Sequence, residues 1–201
     1  MEKFLDDIKL ALQVDNHYKK WIDLHHKEES DIPNKWIRMK ESVFCYEFYS
    51  NYRNNWNKTS PNHDRYKDLY FHAEITKYLS KTDYSFPDFV LHGGQDNKDK
   101  QLIAIEIKVA DRILKEKQSL VNDIKVLIDY VSPQKDLKYN MGLFIVVNME
   151  TCALKKLVIS LEEIKNILTK EDATILEKIY LLGTDYNNGK IKHFKLSDLK
   201  E

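Results

Sequence analysis

The chain has few of the residues that bend, crosslink or anchor a polypeptide: among 201 residues there are five glycines, four prolines and two cysteines. No apolar run approaches membrane-spanning length. The sequence contains no phosphate-cradling glycine loop. No linker, repeat or low-complexity tract divides the chain, so one domain with a full core is expected over 1–201. Cys45 and Cys152 lack metal-ligand spacing and sit among apolar neighbours, which predicts buried, reduced thiols. The histidines form no zinc pattern either, because His25 and His26 are adjacent and would point to different sides of a helix, while His17, His63, His72 and His193 are scattered. The segment Met1 to Asp7 carries no signal-peptide pattern, which predicts a cytoplasmic protein with no membrane partner.

Net charge is missing too, since 32 basic residues balance 32 acidic ones. Domains that grip nucleic acid are usually basic, so this balance argues against strong non-specific affinity for DNA. It predicts that a partner protein or a second subunit would supply much of the hold on such a substrate. The stretch Asn51-Tyr-Arg-Asn-Asn-Trp-Asn-Lys58, with Lys19, Lys20, Arg65 and Lys67 elsewhere, mixes cations with aromatics and amides. That mixture suits phosphate contact and base stacking, and equally suits a solvated loop.

The informative part of the sequence is an apolar run that ends in charge. In Leu102-Ile-Ala-Ile-Glu-Ile-Lys108, strand alternation puts Ala104, Glu106 and Lys108 on one face and Ile103, Ile105 and Ile107 on the other. The segment Phe86-Pro-Asp-Phe-Val-Leu-His92 reads the same way, with Asp88, Val90 and His92 on one face. Pro87 can open a strand but not sit within a ladder. Gly93 to Gln101 is built from turn formers and charges, as in a hairpin connection, and such a hairpin brings Asp88 near Glu106. Two carboxylates held close repel one another, and a hard divalent cation relieves that repulsion. His92, on the face of Asp88, reads as a hydrogen-bonded strand histidine.

Pro87-Asp88, the gap, and Glu106-Ile-Lys108 resemble the motif of the PD-(D/E)XK nuclease superfamily, whose members share the restriction-endonuclease-like fold. Flanking segments extend the resemblance over residues 36–150. Glu41 to Arg53 resembles the first core helix, Phe71-His-Ala-Glu74-Ile-Thr-Lys77 the acidic segment before the Pro-Asp strand, and Asn122 to Tyr130 and Met141 to Val147 the closing helix and buried strand. The fold this implies is α/β: a three-layer αβββαβ core with a mixed central sheet and added N-terminal helices. The implied activity is Mg2+-dependent hydrolysis of phosphodiester bonds, DNA ahead of RNA, with Mn2+ as a substitute metal. A role in DNA processing or defence against foreign DNA would suit such an enzyme. Asp88, Glu106 and the backbone carbonyl of Ile107 would hold the metal, while Lys108 would orient the attacking water and offset charge on the phosphorane-like transition state.

The third acid stays open. Glu41 is preferred over Glu47 because it shares a helix face with Phe44, Phe48 and Tyr52; as an acid in a first helical turn it would also complement the helix dipole. Glu74 reads as a second-site ligand or as a surface residue paired with Lys77 or Tyr78. Related domains often carry an Asp followed by a Lys three residues on in the closing helix, whereas Asp123 here precedes Lys125 by two. Lys115, Lys117 and Gln118, read as opening that helix, are further candidates for holding phosphate or water. The same fold without turnover, as a protein-binding or nucleic-acid-binding module, is the alternative.

At the ends, Phe4, Leu5, Ile8, Leu12, Tyr18, Trp21, Ile22 and Leu24 fall mostly at helical spacing within a 1–30 helical addition broken near Val14 to Asn16. These residues suit core packing or a homodimer interface. In the 151–201 extension, Leu161 to Leu168 reads as a helix capped by Ser160 with Glu163 three residues on. Ile179 to Leu182 and Ile191 to Lys195 flank Tyr186-Asn-Asn-Gly189 and read as a hairpin added to the sheet.

Overall fold

The computed structural model describes residues 2–13, 41–58, 67–73, 87–94, 100–134, 138–184 and 191–200, and at 41–43 and 57–58 the backbone alone. Helix α1 (Glu2–Gln13) and helix α2 (Glu41–Lys58) precede three strands, β1 (Tyr70–Ala73), β2 (Phe89–His92) and β3 (Gln101–Val109). A short helix α3 (Ala110–Lys115) and a long helix α4 (Lys117–Val131) lead to strand β4 (Met141–Val147). Helices α5 (Thr151–Ser160), α6 (Glu162–Lys170) and α7 (Ala173–Leu176) are followed by β5 (Ile179–Gly183), β6 (Lys192–Lys195) and a 3-10 turn at Leu196–Leu199.

The six strands form one sheet in sequence order. Strands β1, β2 and β3 are antiparallel neighbours, β3, β4 and β5 are parallel, and β6 returns antiparallel to β5. The protein is thus an α/β protein with a mixed open sheet, and the expected hairpin partners β5 and β6 do join it. Their turn lies outside the described residues.

Alternation along β3 decides which helices cover which face. Ile103, Ile105 and Ile107 face α1 and α2, in a cluster with Leu5, Ile8, Leu12, Phe44, Phe48 and Tyr52. Burying one such isoleucine contributes about 1.5–3 kcal/mol, so this face alone can hold the N-terminal helices. The Phe48 ring meets Phe71 and Phe89 edge-on, at centroid distances of 6.0 and 5.4 Å. Ala104 faces the opposite way, with Val90, Phe144 and Val146 under α4, α5 and α6.

Several local expectations are corrected. In α1, Leu5, Ile8, Ala11 and Leu12 are buried, so of the two uses open to its apolar residues core packing holds. Asn51–Lys58 is the C-terminal half of α2 instead of a loop, and Arg53 lies 5.3 Å over the Trp56 ring. Cys152 is exposed, because it falls on the solvent side of an α5 that buries Leu154 and Val158. Ser160 ends α5 and donates its hydroxyl to the Leu157 carbonyl at 2.6 Å, so it does not cap α6. Gly183 is required where β5 passes under the β4–α5 connection: a Cβ there would stand 2.6 Å from the Met149 carbonyl oxygen. No described helix is long and apolar enough to cross a membrane.

Candidate active site

The site forms where β2 begins and β3 ends. Phe89 pairs with Ile105 and Val90 with Ala104, so continuing the register by one residue sets Asp88 opposite Glu106. The Asp88 carboxylate is fixed there, because its Oδ2 accepts the backbone N–H of Ile107 at 2.7 Å. One residue further, Pro87 falls opposite Ile107. The N–H and C=O of a strand residue point to the same edge, and proline has no N–H to give, so the ladder offers the Ile107 carbonyl no donor from position 87. The Pro-Asp pair therefore does two things: it ends the ladder and places a carboxylate at its last rung.

Glu106 and Lys108 share the face of Ala104 under α4 and are 3% and 8% exposed. Ionisable groups this buried are costly unless paired. The Lys108 ammonium lies 3.6 Å from a carboxylate oxygen of Asp123 on α4, in an ion pair whose side chains are 10% and 16% exposed. Lys108 thus meets Asp123 of α4, while Asp88 and Glu106 stand opposite one another at the end of the β2–β3 ladder. No family model, curated protein or solved structure matches this chain.

The hard oxygen donors of Asp88, Glu106 and the Ile107 carbonyl fit Mg2+, which is commonly held by one or two carboxylates and completed by water and phosphate. Among the described residues, no group of three His, Cys, Asp or Glu side chains could hold a metal ion. The described acids therefore supply two carboxylates at this place. Glu41 is the first residue of α2, with its side chain outside the described residues, and Glu74 lies outside them entirely. Glu47 is half-buried on α2.

The remaining candidates separate from the site. Lys125 pairs with Glu163 of α6 at 3.0 Å, and Gln118 donates to Glu163 and to Asn122, each at 3.2 Å. This surface cluster holds the Glu163 carboxyl below its usual range, the Lys125 hydrogen bond being the largest cause. Lys115 ends α3 and does not open α4, because the helix breaks at Glu116. Lys115 and Lys117 are exposed.

The sequence shows Asp123 in the closing helix but not its pairing with Lys108, nor the pairing of the two strand histidines. His72 Nδ1 and His92 Nε2 lie 3.0 Å apart, with His92 fully buried. The signal for Asp123 is its place beside Leu120, Ile124 and Leu127 on a helix whose buried stripe is otherwise apolar. The histidines follow from the β1–β2 register, which sets His72 opposite Val90, next to His92 on the same face.

Partial burial, assisted by the Arg53 guanidinium, holds the His72 imidazole below its ordinary value. The unfolded chain therefore binds the proton more readily, and this contribution to stability is present above pH about 6.5 and lost as pH falls through the lower folded value. Geometry agrees with that sign, since one ring must accept the shared hydrogen. Denaturant midpoints measured from pH 7.5 to 5 should fall in wild type and fall less steeply in His72→Gln; parallel slopes would remove His72 as the cause.

Proposed function

We propose that the chain is a Mg2+-dependent phosphodiesterase of nucleic acid, DNA ahead of RNA, built on a restriction-endonuclease-like core. The carrying observation is the Asp88 carboxylate pinned by the Ile107 N–H and in register with Glu106, on the strand that two residues later carries Lys108. Support also comes from the element order, because α2, β1, β2, β3, α4 and β4 run as α, β, β, β, α, β once the short helix α3, inserted between β3 and α4, is set aside.

Asp88 and Glu106, with the Ile107 carbonyl, would hold the metal, which when bound supplies Lewis-acid stabilisation of a phosphoryl oxygen and makes nearby water more acidic. Asp88 is held in place by the strand backbone, so little ordering remains to be done when substrate arrives. Lys108 is the catalytic residue. Its ammonium orients the attacking water and balances negative charge growing on the phosphoryl oxygens, an effect strengthened by its low exposure. The balanced net charge leaves non-specific affinity modest, and a second subunit or partner protein would add grip.

Asp88→Asn tests this directly, because the amide oxygen can still accept the Ile107 N–H while the charge is gone. Mg2+ titrated calorimetrically into wild type should give a binding isotherm that Asp88→Asn lacks. Single- and double-stranded DNA should be cut by wild type only, and only with metal. Metal binding that survives the substitution would overturn the assignment of Asp88. Binding without any cutting of DNA or RNA would favour a module that keeps the site without turnover.

A further inference from the structure

We infer that Asp123 is a positioning residue that fixes the Lys108 ammonium against the two-acid site. This rests on the phosphodiesterase reading above. Lysine carries its charge on a flexible four-carbon stem, so a lysine that must meet one reacting atom needs something to hold it still. Here that holder is built into the opposite layer. Asp123 sits on α4, and α4 is locked to the sheet by Leu120, Val121, Ile124, Leu127 and Ile128, all buried. Its carboxylate reaches 3.6 Å from Lys108 Nζ with both side chains largely withdrawn from water.

Stability alone does not account for the pair. Buried ion pairs are often replaced by apolar residues with no loss of stability, because desolvating both charges offsets their attraction. The buried stripe of α4 beside position 123 is mostly aliphatic, with Leu120, Ile124 and Leu127. A charge kept there at that cost has a use, and it lies in an ion pair with the lysine that shares a strand face with Glu106. The helix phase supports the division of labour. At 100° per residue, Asp123 and Lys125 point to opposite sides of α4, one toward Lys108 and the other toward Glu163.

The test compares Asp123→Ala, Asp123→Asn and Asp123→Glu with wild type, and uses Lys125→Ala as a control that breaks only the surface pair. Three quantities are read: kcat and KM for Mg2+-dependent DNA cutting, calorimetric affinity for Mg2+ alone, and the order of the 15N-labelled Lys108 ammonium by NMR. Asp123→Ala should lower kcat by roughly 10–100-fold, the usual effect of removing a group that orients a functional ligand, with KM and Mg2+ affinity within about twofold. Asp123→Glu should recover part of the loss, and the Lys108 ammonium should become more mobile in Asp123→Ala and Asp123→Asn. If Asp123→Ala does not fold, the near-isosteric Asp123→Asn carries the comparison.

Wild-type kcat in the alanine variant, or an ammonium equally ordered in both, overturns the inference. So does a large loss of Mg2+ affinity, which would make Asp123 a metal ligand. If wild type cuts neither DNA nor RNA, the phosphodiesterase reading fails by itself, and the ammonium's order still decides whether Asp123 positions Lys108.

Discussion

Lys108→Met should reduce Mg2+-dependent cutting by about 10³-fold while Mg2+ affinity stays the same or tightens. The loss corresponds to about 4 kcal/mol of transition-state stabilisation, the size expected when one well-aimed cation is removed from a water-poor site. Metal affinity moves the other way because a positive charge has been taken from beside two carboxylates. Separating the two readouts is what gives the substitution its value. Asp88→Asn removes binding and chemistry together, whereas Lys108→Met should leave a site that loads but does not turn over. Stability needs a parallel check, since the Asp123 carboxylate loses its partner at low exposure and that costs about 1–3 kcal/mol. The double variant Lys108→Met/Asp123→Leu should regain it and remain inactive, which would show by circular dichroism that lost cutting is not lost fold. Full activity in Lys108→Met would instead assign the lysine a structural role and favour a non-catalytic module.

The parts of this site visible in the sequence are those governed by period two. Strand alternation put Glu106 and Lys108 on one face, and the Pro-Asp dipeptide with a turn-rich connection implied an antiparallel neighbour carrying Asp88. The register confirms that pairing, and β4 begins and ends where its apolar run does. What alternation cannot supply is helix phase after a break. Fourteen residues, among them the kink at Glu116, separate Lys108 from Asp123, so the rotation of α4 about its own axis depends on packing of Leu120, Ile124 and Leu127 against the sheet. The two-residue spacing of Asp123 and Lys125 departs from the family pattern, and the two do face apart on α4. The histidine pair escapes the sequence for a related reason: β1 is four residues long and resembles part of an acidic segment, so its register with β2, and with it the placement of His72, has no short-range signal.

Phe144→Ala should produce the largest loss of stability, about 3–5 kcal/mol, because it empties a fully buried ring from the centre of the sheet. Phe144 lies between Glu106 on β3 and Leu181 on β5 in register, and belongs to the cluster under α4 that includes Ala104, Ile124 and Val146. In a chain of this size each kcal/mol lowers the melting temperature by about 2–4 °C, so a drop of roughly 10 °C is expected by calorimetry. Phe144→Leu, which keeps most of the volume, should cost only about 1 kcal/mol. The same ring supports the site from the side, since its register partner is Glu106 and a cavity there frees the glutamate side chain to reorient. At a temperature where the variant is still folded, Mg2+ affinity should therefore fall by about tenfold, as when a group that orients a metal ligand is removed. Loss of stability with unchanged metal affinity would mean that Glu106 is held by its own strand alone, and that the site's rigidity comes from the Asp88 to Ile107 hydrogen bond and not from the core beneath it.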